Sequence, residues 1–442
     1  MHFIFEFFKS FCLLFLYAYC IQALLTIFLV RRGKQKRRPL ADISNPCTSS
    51  YLLVQVPLYN EAQCIAGLMP SLAGLNWAED RICIQILDDS DDETTMLVRN
   101  WLEEHPNAST RFMHVTRNER TGFKAGALSE GLKLYNRAEY CLILDADFWP
   151  EPEFAIKLAA HLYRYPELSM VQARWIHRNE DQSWLTKLQA VAIDTHFAYE
   201  QPMRAWNGHM MNFNGTAGMW RVRCIEESGG WSFATLTEDL ELSYRAQLSG
   251  KVCDYVKEVT CSSELPQTYG ALRNQQFRWA KGSLQTARLF LPRLFSQGTL
   301  NFMTRLQGVM HLLHYLTQPV LGLYLLLLLY FPDRTSVLPE FFFLFLAPCI
   351  LYLFSAHSLG KPLLPVVLKF PGLFMLGMSL TVPLVRAAWE ALIGQPSAFV
   401  RTPKAGGSLI PVSELPVDRV WQLVEAGFWG IVVFGLVDFL RY

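Results

Sequence analysis

The sequence predicts an α/β domain built on a mostly parallel sheet, with transmembrane α-helices at both ends of the chain. Apolar residues make up 51% of the 442 residues and charged residues only 18%, whereas an ordinary soluble domain carries about 25% charge. The apolar surplus lies near the two ends. The middle of the chain, roughly residues 40–300, has ordinary soluble composition and enough length to bury a core.

The N-terminal segment predicts a retained membrane span. Residues 11–30 contain no charge, and six basic residues follow between Arg31 and Arg38. Twenty apolar residues suffice for a helix to cross a hydrocarbon core of about 30 Å. A cleavable signal peptide carries its basic residues before a shorter apolar run, so the order here indicates a span that stays. The basic cluster places the following domain in the cytoplasm; a nuclear-type basic patch is the disfavoured alternative.

The C-terminal third predicts further spans. Residues 309–331, 341–358 and 427–440 are nearly free of charge. The stretch 363–394 is interrupted by Lys369, Pro371 and Pro383 and ends in an amphipathic run. We therefore expect this stretch to lie along the membrane interface rather than to cross it.

Short apolar runs in the middle of the chain predict the strands of the parallel sheet. These runs cover 51–56, 82–87 and 141–144 and are separated by helical-looking stretches. The nearly equal numbers of basic (40) and acidic (39) residues argue against a nucleic-acid-binding protein.

Acidic residues follow two of these strands, at the edge where an open α/β sheet binds its ligands. Asp88 and Asp89 end the second run, and Asp145 and Asp147 follow the third. Carboxylate oxygens suit Mg²⁺ or Mn²⁺, which can bridge substrate phosphates. A lone D-x-D is most often a solvated turn, but a buried strand before it and a second Asp pair one strand earlier favour a site.

Two later clusters add candidate chemistry. Thr237-Glu238-Asp239 is typical of a helix start, with Thr237 as N-cap, and Asp239 is also the candidate general base. The run Gln275-Gln276-Phe277-Arg278-Trp279 offers an indole to stack on a sugar ring and a guanidinium to clamp a diphosphate. An interfacial helix with a Trp anchor is an equally good interpretation of that run in isolation.

Taken in order, these residues resemble the signature of the family 2 inverting glycosyltransferases: D, D-x-D, [T/E]-E-D and Q-x-x-R-W. The resemblance is closest to the processive cellulose-synthase-like enzymes, and among them to the mannan and xyloglucan-backbone synthases. It extends over about 50–290. Supporting stretches are 54–61 (VQVPLYNE), 85–90 (QILDDS), 121–128 (TGFKAGAL), 145–152 (DADFWPEP), 171–175 (VQARW), 213–218 (FNGTAG) and 264–266 (ELP).

The resemblance implies a Rossmann-like GT-A catalytic domain and a role for each matching residue. Asp239, next to Glu238, would be the catalytic base of a single displacement, and Asp145 and Asp147 would hold the Mg²⁺ or Mn²⁺. The donor-binding residues would be Tyr59, Glu61, Asp89, Lys124, Asp145, Gln275, Gln276, Arg278 and Lys404. The acceptor-binding residues would be Asn214, Thr216 and Trp279.

Lys404 belongs to a stretch, 399–404 (FVRTPK), that resembles the gating loop of cellulose synthases. Arg401 stands where that loop usually has Val, and a basic turn at the membrane edge is the alternative. If the loop reaches a cytosolic nucleotide, an even number of crossings must separate it from the catalytic domain.

The predicted organisation has three parts: an N-terminal transmembrane helix and basic flank at 1–39, a cytosolic GT-A domain at 40–300, and a C-terminal transmembrane region at 301–442. The last part includes the interfacial and gating segment near 386–410. A multi-pass protein of this kind fits a bacterial inner membrane or the Golgi. With only about four spans, a complete export path would need a second copy of the chain or a partner protein.

The predicted function is transfer of hexosyl units from a nucleotide-sugar, of UDP-glucose or GDP-mannose type, to a growing β-glycan, with a processive mode. The alternative within the same chemistry is a non-processive enzyme that glycosylates a lipid, such as ceramide or diacylglycerol. A transporter is disfavoured because the charges cluster in the soluble region. A catalytically inactive binding module is the remaining alternative.

Overall fold

A computed structural model describes residues 2–43, 47–330, 337–396, 421 and 423–432 of the chain. Within these residues, eight strands form one sheet. The strands are β1 (Leu52–Leu58), β2 (Ile82–Asp88), β3 (Phe112–Thr116), β4 (Tyr140–Ile143), β5 (Phe148–Trp149), β6 (Leu168–His177), β7 (Gly218–Arg221) and β8 (Val252–Ser263).

Helices precede, separate and follow these strands. The first eleven are α1 (His2–Gly33), α2 (Ala62–Ala73), α3 (Thr94–Glu104), α4 (Pro106–Ser109), α5 (Phe123–Leu134), α6 (Phe154–Arg164), α7 (Trp184–Thr195), α8 (Gln201–Trp206), α9 (Val222–Glu227), α10 (Glu238–Leu248) and α11 (Tyr269–Ser296). The C-terminal ones are α12 (Phe302–Leu313), α13 (Thr317–Tyr330), α14 (Val337–Ser358), α15 (Leu363–Ser379) and α16 (Thr381–Ile393). A π-helical turn, His196–Glu200, joins α7 to α8.

The strand order is β3-β2-β1-β4-β7-β6-β8-β5. Strands β1 to β4 pair in parallel, as do β6 and β8, while β7 runs antiparallel to both its neighbours and β5 antiparallel to β8. The predicted fold class is therefore confirmed: an α/β domain on a mixed, mostly parallel sheet, with apolar helices at both ends of the chain.

The register of the parallel strands brings their acidic ends together. Leu58, the last residue of β1, lies opposite Asp88, and the backbone N–H of Asp89 donates to the carbonyl of Leu58 at 3.0 Å. On the other side of β1, Gln55 pairs with Ile143, two residues before Asp145. Because β1 sits where the strand order reverses, its carboxyl end opens onto the crevice in which α/β sheets bind ligands.

A buried amide pair fixes α5 against this part of the sheet. Gln55 and Gln85 are fully buried at paired positions, and the Nε2 of Gln55 donates to the Oε1 of Gln85 at 3.1 Å. Their remaining donors reach backbone carbonyls of α5, including that of Gly131 at 2.8 Å. A Cβ at position 131 would lie 2.5 Å from both amides, so glycine is required there. The contact fixes the position of α5 against β1 and β2, and the first turn of α5 carries Lys124.

Three helical stretches are long and apolar enough to cross a membrane, namely Ile4–Gly33, Phe302–Leu329 and Leu363–Ile393, judged over the described residues. α1 packs against α13 and α14, so the apolar ends of the chain meet in space. The expected stretch 309–331 corresponds to α12 and α13, and 341–358 lies within α14.

The third stretch is divided at Leu380 into α15 and α16, and α16 packs along α11. A buried ion pair joins these two helices. The Nζ of Lys281 lies 2.7 Å from the Oε2 of Glu390, and the side chains are 0% and 3% exposed. Arg386 binds the other oxygen of the same carboxylate at 2.7 Å. The end of this apolar stretch is thus bound to the sheet domain through charges.

We expect Glu390→Ala to destabilise the protein by about 3–5 kcal/mol, because it leaves the Lys281 ammonium buried without its carboxylate. The matched control is Glu153→Ala, which removes the half-exposed ion pair with Lys157 on α6 and should cost about 0–1 kcal/mol. Unfolding of the purified protein in detergent measures both losses. Equal losses for the two variants would contradict a structural role for the buried pair.

Candidate active site

A cleft opens at the carboxyl ends of β1, β2 and β4. Its walls contain most of the residues that the sequence predicts for a donor site, and these come from segments far apart in the chain. The lining residues used below are Tyr59, Glu61, Asp89, Arg120, Lys124, Asp145, Asp147, Trp175, Asn214, Thr237, Glu238, Asp239, Gln275, Arg278 and Trp279.

One end of the cleft is formed by Tyr59, Glu61 and Asp89. The guanidinium of Arg120 lies over the Tyr59 ring, 3.2 Å from its centroid. Asp89 is bound by Arg117, whose Nε donates to Oδ1 at 2.8 Å. A planar aromatic, a fixed carboxylate and an exposed part of a guanidinium are the groups that recognise a heterocyclic base and its ribose.

The sequence did not single out Arg117 and Arg120 as site residues. Both lie in the loop between β3 and α5, directly before the TGFKAGAL stretch. The sequence position of the loop could have predicted them, because a loop that follows the third parallel strand lies at the same edge of the sheet as the other strand ends.

Lys124 occupies the centre of the cleft. Its Nζ donates to the Oδ1 of Asp145 at 2.6 Å and to the carbonyl of Gly215 at 2.9 Å, and it lies 3.8 Å from the Oε1 of Glu238. Burial alone would lower the pKa of Lys124, but Asp145 and Glu238 outweigh this and raise the pKa. Lys124 is therefore a fixed positive charge beside the D-x-D pair.

Thr216 lies behind Asp145 rather than on the cleft wall. It is 1% exposed, and its Oγ1 accepts a hydrogen bond from the Asp145 backbone N–H at 2.8 Å. The structure thus places this predicted acceptor residue as a support of the D-x-D turn.

Glu238 and Asp239 begin α10, as the helix-start interpretation expects. Thr237 occupies the N-cap position, as predicted, but its side chain makes no capping hydrogen bond and its buried Oγ1 has no partner among the described residues. Thr237 packs instead against Gly282 of α11, where a Cβ would approach it to 2.4 Å. The start of α10 therefore approaches α11 at a position where only glycine leaves room for the Thr237 side chain.

Burial raises the pKa of the Asp239 carboxyl, and repulsion from Glu238 raises it further, to about 7, against the opposing pull of Lys124. A general base works best when its pKa lies near the working pH. Asp239 therefore has the protonation behaviour required of a base that accepts a hydroxyl proton.

α11 forms the opposite wall. Gln275, Arg278 and Trp279 line the cleft, whereas Gln276 lines an adjoining cavity. Burial lowers the pKa of Arg278, but the nearby carboxylates, first Glu238 and Asp145, counteract this. The guanidinium faces the metal and diphosphate region that the sequence predicts.

The adjoining cavity has a volume of about 390 Å³ and lies between the sheet domain and helices α11, α12 and α16. It shares Trp175, Asn214, Thr237, Asp239 and Trp279 with the cleft. Its far walls carry His196, Glu200, Arg204, His311, His314 and Gln318. A polar ligand longer than one sugar can thus extend from Asp239 towards the apolar helices. Lys404 and the 399–404 stretch lie outside the described residues.

The charges of the cleft suit a divalent cation. Six carboxylates and three cationic side chains line it, so an anionic diphosphate would be repelled without further positive charge. Asp145 and Asp147 can supply two carboxylate ligands. No group of three or more His, Cys, Asp or Glu is placed as a ligand set in the described part of the chain. This donor set fits Mg²⁺ or Mn²⁺, which are typically held by one or two carboxylates with phosphates and water.

Comparison with known proteins finds a family match for part of the chain. Residues 140–356 match the family model described as glycosyl transferase family group 2. The chain is 36% identical over 274 residues to glucomannan 4-beta-mannosyltransferase 2 of Arabidopsis thaliana, covering 61% of this chain and 51% of the relative. It is 37% identical over 246 residues to glucomannan 4-beta-mannosyltransferase 1 of Oryza sativa subsp. japonica, covering 55% and 47%.

A solved structure shares the fold. The mannosyltransferase PcManGT from Pyrobaculum calidifontis, in complex with GDP-Man and Mn²⁺, aligns with a TM-score of 0.58 at 20% identity, over 88% of this chain and 100% of that one. The chain spans about half the length of the curated relatives that it matches. Residues 140–356 thus carry a domain of the glycosyl transferase family group 2, and the chain is similar to the glucomannan 4-beta-mannosyltransferases.

Proposed function

We propose that the protein is a membrane-bound inverting glycosyltransferase that transfers hexosyl units from a nucleotide-sugar to a growing β-glycan. The observation that carries the proposal is that one cleft joins Asp239, the Asp145–Asp147 pair and Trp279. The similarity to glucomannan 4-beta-mannosyltransferases supports mannose as the transferred sugar. GDP-mannose and UDP-glucose are the two donors to compare.

The cleft residues have separate roles in the proposed reaction, namely donor binding, acceptor binding and proton transfer. Tyr59, Glu61 and Asp89 hold the nucleoside, while Lys124 and Arg278 face the diphosphate. Trp279 stacks on the terminal acceptor sugar. The acceptor hydroxyl oxygen forms the new bond to the anomeric carbon, and Asp239 takes the hydroxyl proton. The bond from that carbon to the diphosphate breaks with its electron pair, and the nucleoside diphosphate leaves on the opposite face, which inverts the configuration.

Asp145 and Asp147 would hold the divalent cation, which neutralises charge on the departing diphosphate. Mn²⁺ is the first cation to test, because the solved structure with this fold is described with GDP-Man and Mn²⁺. Lys124 keeps Asp145 in place through its 2.6 Å hydrogen bond. Arg278 contributes a second positive charge from α11.

A polymer product is favoured over a glycolipid by the adjoining cavity. Beyond Trp279 this cavity carries His, Glu, Arg and Gln side chains among apolar ones such as Ile193, Phe197 and Leu380, and the polar groups can hydrogen-bond several sugar hydroxyls. A ceramide or diacylglycerol acceptor would bring two apolar chains next to those groups, at the cost of desolvating them.

We place the catalytic domain on the cytosolic side, with α1 and the C-terminal helices in the bilayer. The basic residues after α1 support this orientation, and the length of the apolar stretches supports their insertion into the bilayer. The charged contact between α11 and α16 supports an interfacial position for the end of the third stretch. A second copy of the chain or an export partner would complete the path through the membrane.

The direct test supplies the purified chain in nanodiscs with each donor, Mn²⁺ and a short β-mannan acceptor. We expect GDP release and a longer glycan with GDP-mannose. Asp239→Asn should lower turnover by about 10²–10⁴-fold, whereas Asp181→Asn, at a carboxylate that is 94% exposed, should leave it unchanged. Undiminished transfer by the Asp239 variant would contradict the assignment of Asp239 as the general base. Glycosylated lipid as the only product would contradict the proposal that the product is a polymer.

The raised pKa of Asp239 predicts the pH dependence. An ordinary Asp is already deprotonated at pH 5, but this carboxyl, with a pKa of about 7, becomes a base only as the pH rises through neutrality. We expect kcat/KM to increase with pH and level off about one unit above pH 7. Nucleotide binding, measured in parallel, should stay constant over the same window. A flat kcat/KM profile from pH 5.5 to about 8 would contradict this assignment.

Removal of the cation gives the last test of this function. We expect a chelator to abolish transfer and added Mn²⁺ or Mg²⁺ to restore it. Asp147→Asn should reduce turnover by about 10²–10³-fold at saturating cation, because the charge on the leaving diphosphate is then less well neutralised. Full activity of the wild-type protein in excess chelator would exclude a metal-assisted reaction.

A further inference from the structure

The π-helical turn His196–Glu200 lies where the cleft meets the adjoining cavity. π-helical turns are rare and are found often at functional sites. His196 and Glu200 face the cavity, and Asn214 faces both the cavity and the cleft. The proposed transfer step assigns no role to His196 or Glu200, so we ask what their own hydrogen bonds hold in place.

The hydrogen bonds of Asn214 have a single consistent orientation. The Nε2 of Gln201 donates to the backbone carbonyl of Asn212 at 2.9 Å and also to the Oδ1 of Asn214. The Nδ2 of Asn214 must therefore be the atom that faces His196, and it lies 2.9 Å from the ring Nε2. An N–H donor on one side requires an unprotonated Nε2 on the other.

The same logic fixes the tautomer of His196. Because Nε2 accepts, the ring proton of neutral His196 lies on Nδ1, which is 3.1 Å from the Oε2 of Glu200. Arg204 binds that carboxylate oxygen at 3.3 Å. Burial alone would raise the pKa of Glu200, but His196 and Arg204 outweigh it and lower the pKa overall, so Glu200 stays an ionised acceptor. Glu200, His196 and Asn214 form a relay in which each member has one role.

The relay ends at the centre of the active site. Gly215 follows Asn214, with a φ of 80°, and its carbonyl accepts from Lys124. A Cβ at position 215 would lie 2.8 Å from the Oδ2 of Asp239, so the backbone here passes directly against the base. A displacement of Asn214 would therefore move the contacts of both Lys124 and Asp239.

We propose that Glu200 and His196 are positioning residues that hold the Asn214 carboxamide, and with it the 214–216 segment, against Asp239 and Lys124 for the attack of the acceptor. The inference rests on the proposed transfer reaction. Neither residue touches the donor end of the cleft, which lies at Tyr59 and Asp89. Loss of the relay should therefore impair the transfer step and leave nucleotide binding intact.

The kinetic test is a double-mutant cycle in the full chain with donor, Mn²⁺ and acceptor. We expect His196→Phe to lower kcat by up to about 10²-fold, the loss that a misplaced reacting group causes, with the donor KM changed by less than about twofold. In an Asn214→Ala background the same substitution should have almost no further effect, since contacting residues are not additive. His196→Gln, which keeps an acceptor within reach of Asn214, should recover part of the rate.

A matched control is His161→Phe. His161 is a buried histidine on α6 that bonds Asp254 at 3.2 Å and lines neither cavity. The control should leave kcat unchanged even if the melting temperature falls. Additive effects of the His196 and Asn214 substitutions, or a rise in the donor KM that parallels the fall in kcat, would show that His196 only packs in the fold. Either result would overturn the proposal.

A second measurement separates the relay from the reaction. In protein labelled with ¹⁵N-histidine, the ring signals that disappear in His196→Gln belong to His196. We expect the neutral tautomer protonated at Nδ1, and its pattern should change in Asn214→Ala. A proton on Nε2 would overturn the relay whether or not the protein is active, whereas absence of transfer by the wild-type protein with the expected tautomer would overturn only the proposed function.

Discussion

The ammonium of Lys124 is the contact on which the geometry of the cleft depends. It joins the first turn of α5 to the D-x-D turn after β4, to the backbone before β7 and to the start of α10. These segments span more than one hundred residues of sequence. Burying a lysine is costly unless carboxylates surround it, and Asp145 and Glu238 meet that requirement. Each carboxylate in turn depends on Lys124, so the cluster forms as a unit.

The residues at the carboxyl edge of the sheet could be predicted from the sequence, because a parallel sheet allows few other arrangements of its strand ends. Apolar strands that run the same way must end at the same edge, so Asp89 and Asp145 had to lie near each other. The three predicted runs differ from β1, β2 and β4 by only one or two residues at their ends, whereas the other five strands of the described sheet were not predicted. The assignment of α10 to a helix start was equally accessible, since acidic residues at that position complement the helix dipole.

Other parts of the site could not be predicted in full, because they depend on the direction in which each side chain points and sequence spacing gives only part of that information. Gln275, Arg278 and Trp279 are spaced so that they share one face of α11, while Gln276, one residue on, is rotated towards the neighbouring cavity. Thr216 turns inward because the Asp145 N–H offers it a partner. Arg117 binds the Asp89 carboxylate, Arg120 lies over the Tyr59 ring, and His196 contacts the Asn214 carboxamide. These contacts join segments that are separated in the sequence, so a local sequence pattern does not predict them.

The contact between α11 and α16 links this chemistry to the apolar helices. Lys281 is two residues beyond Trp279 on α11, and its buried partner Glu390 lies near the end of an apolar stretch long enough to cross a membrane. A helix that carries both the Trp279 indole and a buried charge cannot slide along α16 without separating that ion pair. The position of Trp279 relative to α16 is therefore fixed in part by this ion pair, and beside the indole lies the cavity into which we propose that the acceptor chain extends. In this arrangement the cleft and the apolar helices are joined through one element, α11, which lines the cleft and is ion-paired to α16.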